Sequence, residues 1–404
     1  MLLLFPLLFL FSFVASSPPP PELFSSLVSR KLLTTASLVS SPHIPTNYPA
    51  QTTRDTGAWQ LAPADTWTTG FLPSTFYALH TRAALCPARF GNESAQWLAL
   101  GRQWATGEDP LTVLNHQGHD VGFLSYPFVD ELTINPTNVT ARATVNTFAS
   151  MLAARFNPIV GCTRSWDAAD PEDFQVIIDN MMNLEVLFVS ADLTGNTTLR
   201  DIAISHADKT MTNHVRADGS SFHVVDYNAT TGVVFERRTA QGYADWSTWS
   251  RGQAWGVYGF ANMYRRTGYQ RYLDTSRRMA QYFINHIPAG GIVPWDFLAP
   301  LEPPRPADSS AAMIVVNGLL LLAQQEAALK PANDSGAGVW RQAATKILDD
   351  TTSAFWKPEW ASLLSNGTVN NHGTTGNNDT GIVYGDYYFI QAANTLVQMG
   401  LATC

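Results

Sequence analysis

The 404-residue chain has few charged side chains and contains no cluster of Lys or Arg residues. Charged residues make up 14% of the total, and the formal net charge is −8. A protein that binds nucleic acid needs a basic surface to neutralise the phosphate backbone. The composition therefore argues against nucleic acid as a partner.

The signatures of a bound cofactor or metal are also missing from the sequence. There is neither a glycine-rich phosphate loop nor a set of residues with metal-ligand spacing. The three cysteines, Cys86, Cys162 and Cys404, allow one disulfide bond and leave one thiol over. We therefore expect no cofactor, no metal and no disulfide-based framework.

What the chain does have is a strongly apolar start. Residues 1–17, MLLLFPLLFLFSFVASS, end in small residues and are typical of a secretory signal peptide that is cleaved near Ala15–Ser17. A membrane span needs about 20 apolar residues, and a run of prolines closes this stretch before that length. We therefore expect a secreted protein with no membrane segment once the signal is removed.

Seven Asn-x-Ser/Thr sequons fit a glycoprotein that follows the secretory route. They lie at Asn92, Asn138, Asn196, Asn228, Asn333, Asn366 and Asn378. Residues 18–45 are rich in Ser, Pro and Thr, which predicts a poorly ordered leader. The remaining residues, 46–404, are predicted to form one domain, and we expect a monomer.

Helical periodicity dominates this domain, and turn signals separate the helices. The helices pair at intervals of roughly 50–60 residues without an obvious sequence repeat, which favours a closed all-α barrel over an open solenoid. Closing the ring brings the last helix beside the first, so we expect Cys86 to bond Cys404. The predicted helices are 73–85, 94–105, 139–156, 180–191, 198–214, 249–266, 269–286, 309–329, 337–355 and 386–399.

Two stretches depart from the helical pattern. Residues 223–234, HVVDYNATTGVV, predict a short hairpin, and residues 290–296, GGIVPWD, predict a loop that carries an aromatic and a carboxylate. In a helical toroid such loops collect at one rim, where a pocket is expected. The 12 Trp and 13 Tyr residues suit a pocket for sugar rings.

Asp179 stands out because it lies among apolar residues in the stretch EDFQVIIDNMMNLEVLFVSA. An ionised carboxylate in such surroundings is costly, so it is neutral, paired or held for chemistry. Burial raises its pKa, whereas a helix that starts at Asn180 lowers it. Asp170–Pro171 offers another helix start. The alternative for both Asp179 and Asp120 is structural, as caps of helices.

Eight motifs, taken together and in order, resemble the unsaturated glucuronyl hydrolases, whose fold is an (α/α)6 barrel. The resemblance covers most of the chain, from about residue 66 to 391. The motifs are TWTTGFLPS at 66–74, HDVGF at 119–123, IIDNMMNLEVLF at 177–188, SFHVVDYNATTG at 221–232, TAQGYADWSTWSRGQAWGVYGF at 239–260, VPWDF at 293–297, DSSAAMI at 308–314 and YGDYYF at 384–389.

The resemblance implies an unusual reaction. The substrate is an oligosaccharide whose non-reducing end is a 4-deoxy-4,5-unsaturated uronic acid, the end that a polysaccharide lyase leaves. The enzyme protonates C4 of the enol ether, water adds at C5, and the resulting hemiketal rearranges and releases the remaining sugar. One group that first gives and then takes a proton can serve both steps.

The resemblance also assigns roles to residues. Asp179 is the acid/base, and Asp120 holds sugar hydroxyls beside it and raises its pKa by like charge. His223 donates to the substrate carboxylate or orients water. Gln241 and Arg251 are further polar contacts, and the planar fork of Arg251 suits a uronate. The aromatic positions that line the sugar site are Trp67, Trp166, Trp249 and Trp255.

Three other functions stay open. An unsaturated rhamnogalacturonyl hydrolase would use the same fold and chemistry on pectin fragments. An inverting α/α-barrel glycosidase would use two carboxylates at C1. A catalytically inactive sugar-binding protein is the third, and the presence of both Asp120 and Asp179 argues against it.

Overall fold

The structure is a computed structural model, and it describes residues 18–39, 43–372 and 376–404. The predicted signal peptide, residues 1–17, lies outside the described residues and stays a prediction. In chain order, the helices of the described residues are α1 (Ser26–Ala36), α2 (Phe71–Leu85), α3 (Pro87–Phe90), α4 (Ser94–Ala105), α5 (Val121–Leu124), α6 (Tyr126–Ile134), α7 (Val139–Ala154), α8 (Asn180–Asn183), α9 (Glu185–Thr194), α10 (Thr197–Asn213), α11 (Ser250–Thr267), α12 (Gln270–His286), α13 (Ser309–Ala328), α14 (Asp334–Phe355) and α15 (Val383–Gln398).

These helices form an (α/α)6 barrel, as the resemblance implied. Helix α2 packs between α15 and α6, α13 lies between α15 and α11, and α8 connects α11 with α5, which completes an inner ring. The next long helix in the chain packs outside five of the six inner positions: α4 on α2, α7 on α6, α10 on α9 (which follows α8), α12 on α11 and α14 on α13. The prediction of a closed ring is confirmed.

The apolar pattern decides which helices are inner. Helix α13 buries nearly all of its residues, which is what a helix apolar on every side requires. Helix α12 buries a stripe that includes Leu273, Ser276, Ala280 and Phe283, spaced three and four residues apart, so it covers the ring from outside. Among the described helices, α13 alone is long and apolar enough to span a membrane, and 83% of that stretch is buried inside the protein.

The ten predicted helices are confirmed, with one interruption. Leu184 separates α8 from α9 inside the predicted helix 180–191. Helices α1 and α6 and the four-residue helices α3 and α5 were not predicted. Helix α6 has only nine residues and carries Pro127 in its first turn, a residue that in sequence indicates a loop as readily as a helix start.

The predicted disorder of the leader, 18–45, is wrong at α1. Ser25 caps this helix, because its side chain accepts a hydrogen bond from the backbone N–H of Leu27 at 3.2 Å. Val28 and Leu32 lie one helical turn apart and are only 1% and 5% exposed. The Ser/Pro/Thr-rich composition hid this short apolar stripe, which packs onto the barrel core.

The strands are short and lie between the helices. β1 (Asn47–Thr52) pairs antiparallel with β2 (Trp59–Pro63), and β3 (Phe156–Asn157) pairs with β4 (Cys162–Thr163). β5 (Asp173–Ile177), β6 (Val224–Asn228) and β7 (Val234–Arg238) form a three-stranded antiparallel sheet. The β6–β7 pair confirms the predicted hairpin.

Strand β5 corrects the interpretation of the residues before Asp179. The possible helix start at Asp170–Pro171 is wrong, because the chain there enters a strand. Phe174 and Val176 alternate along it and pack into a small apolar cluster with Val225. Period-two burial of this kind favours a strand.

The predicted disulfide bond between Cys86 and Cys404 is confirmed. Cys162 is the thiol left over, and it is buried. The bond joins Cys404, the last residue of the sequence, to Cys86 at the end of α2, the first inner helix of the ring.

We expect Leu32→Ala to lower the free energy of unfolding by about 2–5 kcal/mol, because it leaves a cavity under α1. Leu38→Ala is the matched control: Leu38 lies just after the same helix but is 52% exposed, so its change is expected within about 0.5 kcal/mol. Urea unfolding of both variants measures the difference. Equal stabilities would mean that α1 does not pack on the barrel.

Candidate active site

The sheet places Asp179 beside His223. Ile177, the last residue of β5, pairs with Val224 at the start of β6, and the backbone N–H of Ile178 donates to the carbonyl of His223 at 3.1 Å. The chain then turns into α8 at the rim of the barrel. Asp179 is therefore set by a strand end, which is a more rigid support than a free loop.

Neither candidate carboxylate is used as a helix cap. Asp179 precedes α8 and Asp120 precedes α5, and the side chain of each makes no capping hydrogen bond. Asp308 shows the contrast, because its Oδ1 accepts from the backbone N–H groups of Ser310 and Ala311 at the start of α13. The structural alternative for Asp120 and Asp179 is therefore wrong.

Burial sets the protonation of this pair of carboxylates. It raises the pKa of Asp179 to about 7, against the opposing effect of the Arg251 charge, and Asp179 Oδ2 has no hydrogen-bond partner among the described residues. The pKa of Asp120 is raised well above its ordinary value, first by burial and then by the charge of Asp179. Repulsion between the two carboxylates thus raises the pKa of Asp120, whereas the raised pKa of Asp179 is due to burial.

Asp120 itself is held from one side. Its Oδ1 accepts a long hydrogen bond from Asn183 Nδ2 at 3.4 Å and lies 3.3 Å from Nε2 of the buried His119. Asn183 in turn accepts from the backbone N–H of Phe123 at 2.9 Å. These contacts leave Oδ2 of Asp120 without a hydrogen-bond partner among the described residues. Burial holds the pKa of His119 well below its ordinary range.

His223 is a neutral donor. Its Nδ1 accepts a hydrogen bond from the backbone N–H of Ala240 at 3.2 Å, so the proton of the neutral ring must lie on Nε2. Burial, and next the charge of Arg251, hold the pKa of His223 well below 6.5. Nε2 is buried and has no acceptor among the described residues, which leaves an N–H available to a ligand.

Arg251 is placed differently from the expectation of a free fork. Both of its terminal nitrogens are already bonded: Nη1 to Asp308 Oδ2 at 2.8 Å and to the carbonyl of Thr368 at 2.5 Å, and Nη2 to the carbonyl of Val369 at 2.7 Å and to Gln241 Oε1 at 3.3 Å. The side chain is 2% exposed. A bidentate contact with a uronate is therefore not available in this conformation, and Arg251 fixes Gln241 and the 368–369 backbone instead.

Three of the four predicted tryptophans lie around this constellation. The ring of Trp249 is 4.4 Å from that of His223, and its Nε1 is buried without an acceptor among the described residues. Trp166 is half-buried, with its ring 6.0 Å from His223. Trp67 lines a cavity of about 160 Å³ together with Val369.

The prediction for Trp255 as a sugar contact is wrong. Its side chain is 1% exposed and packs inside the ring of inner helices, 5.4 Å from Phe123 and 5.7 Å from Tyr388 between ring centroids. These three rings form an aromatic layer across the barrel interior, beneath the rim that carries the carboxylates. Trp255 supports the pocket from below and has no open face for a sugar.

Sequence reasoning missed Asp308 and Asp296 as organisers of the site. Asp308 pairs with Arg251, and Asp–Ser–Ser before an apolar run is a helix-start signal that could have found it. Asp296 Oδ2 accepts from the backbone N–H of Tyr243 at 2.9 Å and from Ser247 Oγ at 2.6 Å, so the predicted loop at 290–296 shapes the neighbouring 239–249 loop. Nothing in the local sequence indicates that contact.

A large cavity elsewhere in the protein is separate from the active-site residues. It has a volume of about 690 Å³ and lies between α1 and the β1–β2 hairpin, and none of the active-site residues lines it. Across the described ranges, no three His, Cys, Asp or Glu side chains are grouped so that they could hold a metal ion.

Comparisons with known proteins decide the family. No protein-family model matches the chain. The unsaturated glucuronyl hydrolase of Formosa agariphila is 34% identical over 370 residues, which cover 88% of this chain and 86% of that protein. The chain belongs to the unsaturated glucuronyl hydrolase family.

Solved structures of the family agree in fold. The unsaturated glucuronyl hydrolase of Bacillus sp. GL1, responsible for the degradation of glycosaminoglycan, superposes with a TM-score of 0.81 at 29% identity and covers 93% of this chain and 97% of its own. A second neighbour, a variant solved with dGlcA-Glc-Rha-Glc, has a TM-score of 0.81 at 28% identity, with the same coverage of 93% and 97%. The chain is therefore a glycoside hydrolase with the family's barrel.

We expect Asp179→Asn to stabilise the protein at pH 8 by about 1–4 kcal/mol. Because the folded-state pKa of about 7 exceeds the ordinary 3.8, the folded wild type keeps a proton that the unfolded chain loses between those values. Its stability therefore falls as pH rises through that window and levels off above it. Below about pH 4 both states are neutral, so the gain should vanish.

Urea unfolding of wild type and variant at both pH values measures this difference. A gain that stays the same at pH 4 and pH 8 would show that burial of a charge at residue 179 is not its cause.

Proposed function

We propose that this enzyme removes a 4,5-unsaturated uronic acid from the non-reducing end of lyase-generated oligosaccharides by hydrating the C4=C5 double bond. The observation that carries the proposal is the pair of carboxylates, Asp179 and Asp120, that are partly buried at helix starts yet make no capping bond. An uncapped carboxylate with a pKa of about 7 can hold a proton at neutral pH and can also release it. The relatives' names and the oligosaccharide solved with one neighbour support the substrate class.

Asp179 would perform both proton transfers. As the acid it gives its proton to C4, and the positive charge that develops at C5 is stabilised by the ring oxygen. Water then adds to C5 while the Asp179 carboxylate takes the proton that the water loses, so the residue ends the step as it began. The C5 hemiketal then opens to a ketone, which leaves a hemiacetal at C1. Collapse of that hemiacetal to an aldehyde breaks the bond to the remaining sugar and releases it as an alcohol, and no cofactor is consumed.

The substrate carboxylate would meet neutral donors. His223 Nε2–H and Trp249 Nε1–H are both buried without acceptors among the described residues, and a uronate oxygen could accept from each. The guanidinium of Arg251 lies 4.5 Å from the Trp249 ring, so its charge favours an anion without direct contact. Asp120, protonated or not, would bind sugar hydroxyls beside Asp179.

We expect Asp179→Asn to lower kcat by about 10⁴-fold, the upper end for a general acid–base group, because Asn cannot give or take the proton. In the wild type, the rate should fall above about pH 7, where Asp179 loses its proton. The measurement is loss of ultraviolet absorbance of the conjugated double bond in an unsaturated disaccharide. Asp170→Asn, an exposed carboxylate in the same segment, is the control and should keep full activity.

Two results would contradict the proposal. If Asp179→Asn turned over at the rate of the Asp170→Asn control, Asp179 would not be the acid/base. If wild type cleaved the substrate while the double-bond absorbance stayed intact, the chemistry would be ordinary hydrolysis at C1.

We also propose that the protein is a secreted, glycosylated monomer. Asn92 and Asn196 are exposed and can carry glycans. Asn366 differs, because its side-chain nitrogen donates to Asp379 at 3.1 Å and Thr368, the third residue of its sequon, is fully buried.

We therefore expect glycans at Asn92 and Asn196 and none at Asn366. Enzymatic deglycosylation in heavy-oxygen water followed by peptide mass spectrometry reads each site separately. A glycan at Asn366 would mean that the segment around Thr368 does not fold as described.

A further inference from the structure

Trp246 is placed unlike every other tryptophan of the chain. All twelve tryptophans lie in the described residues, and the others are buried or half-buried, whereas Trp246 is 63% exposed. Tyr243, on the same loop, is 40% exposed, and the two rings meet edge to face with centroids 6.1 Å apart. Large aromatic surface left in water needs a reason, because its burial would stabilise the fold.

The loop that carries this pair starts and ends inside the active site. At one end Ala240 donates to His223 and Gln241 accepts from Arg251. At the other end lies Trp249, whose ring is 4.4 Å from that of His223. Two residues of chain limit the separation between the Cα atoms of Gln241 and Tyr243 to about 7 Å, and three residues limit that between Trp246 and Trp249 to about 11 Å. The exposed pair therefore lies at the mouth of the pocket.

The loop is held rigid although its aromatics are exposed. The backbone N–H of Thr239 donates to Asp245 Oδ1 at 2.9 Å, and Asp296 holds both Tyr243 and Ser247. Arg216 adds a hydrogen bond from Nη2 to the carbonyl of Ser247 at 3.1 Å. A loop fixed by this many contacts presents its rings in one orientation, which lowers the entropic cost of binding.

We propose that Tyr243 and Trp246 form an outer sugar platform that binds the second sugar of the leaving oligosaccharide. The unsaturated uronic acid would lie among the pocket residues, and a leaving group longer than one sugar would pass the 242–248 loop, which starts and ends at those residues. The apolar faces of a pyranose ring suit an aromatic ring. The proposal rests on the proposed function and adds a preference for substrates longer than a disaccharide.

The test compares kcat/KM for an unsaturated tetrasaccharide with that for an unsaturated disaccharide. In Trp246→Ala the ratio of the two values should fall about threefold to tenfold, mainly through a higher KM for the tetrasaccharide, because one stacking contact is lost. Trp246→Tyr keeps an aromatic face and should restore most of the ratio. Tyr243→Ala should lower it as well.

Tyr269→Ala is the matched control. Tyr269 is also 40% exposed but lies just beyond the far end of α11, whose 18 residues span about 27 Å. The ratio of the two kcat/KM values measured for Tyr269→Ala should equal that of the wild type.

The outcomes separate this inference from the proposed function. A wild type that acts on neither substrate rejects the function itself. A wild type that acts on both, with an unchanged ratio in Trp246→Ala, rejects the platform and leaves the function standing. A change of oligomeric mass in Trp246→Ala, measured by light scattering with the ratio unchanged, would overturn the platform in favour of an interface between two copies.

Discussion

The ion pair between Arg251 and Asp308 is the constraint on which the active site depends. Both side chains are at most 2% exposed, and Nη1 lies 2.8 Å from Oδ2. Two charges this deep are tolerated only if their remaining hydrogen-bonding groups are satisfied, and here they are: Asp308 also caps α13, and Arg251 also donates to the carbonyls of Thr368 and Val369. One interaction thus fixes α11, α13 and the 368–369 backbone relative to one another. Lysine, with a single ammonium, could not make this set of contacts.

The same buried cation balances the chemistry around it. It opposes the rise of the Asp179 pKa and helps keep His223 neutral. Burial raises the pKa of both carboxylates, and the charge of Asp179 adds to the rise for Asp120. The site therefore combines an acid whose pKa lies near neutrality with uncharged N–H donors. Backbone N–H groups that donated to Asp179 from the start of a helix would have lowered that pKa. This explains physically why Asp120 and Asp179 begin helices without capping them.

Much of the barrel could be predicted because its helices carry their own signal: α12 has one apolar stripe and α13 is apolar throughout. The closure of the ring and the bond between Cys86 and Cys404 followed from that pattern. Asp120, Asp179 and His223 were found through their motifs, and the structure brings them together.

Helix α1 was missed because local composition hid its short apolar stripe. Strand β5 was missed because its period-two burial depends on strands about 50 residues away in the chain. The partners of Arg251 could not be predicted, since Thr368 and Val369 are brought to it only by the closed ring. Trp255 was wrongly predicted to contact the sugar. Its motif gives its place in the sequence, but the packing of the helices decides how deep its side chain lies below the rim.

The aromatic layer of Phe123, Trp255 and Tyr388 closes the barrel interior beneath the carboxylates, so the active site is a pocket with one mouth. A polysaccharide cannot thread through such a site, and only a chain end can reach Asp179. In the proposed reaction the released uronic acid would lie deeper than the sugar from which it was cut, so it would leave second and by the route of entry. Product release from such a pocket would be ordered, and at high product concentration the outer sugar would hinder the exit of the inner one.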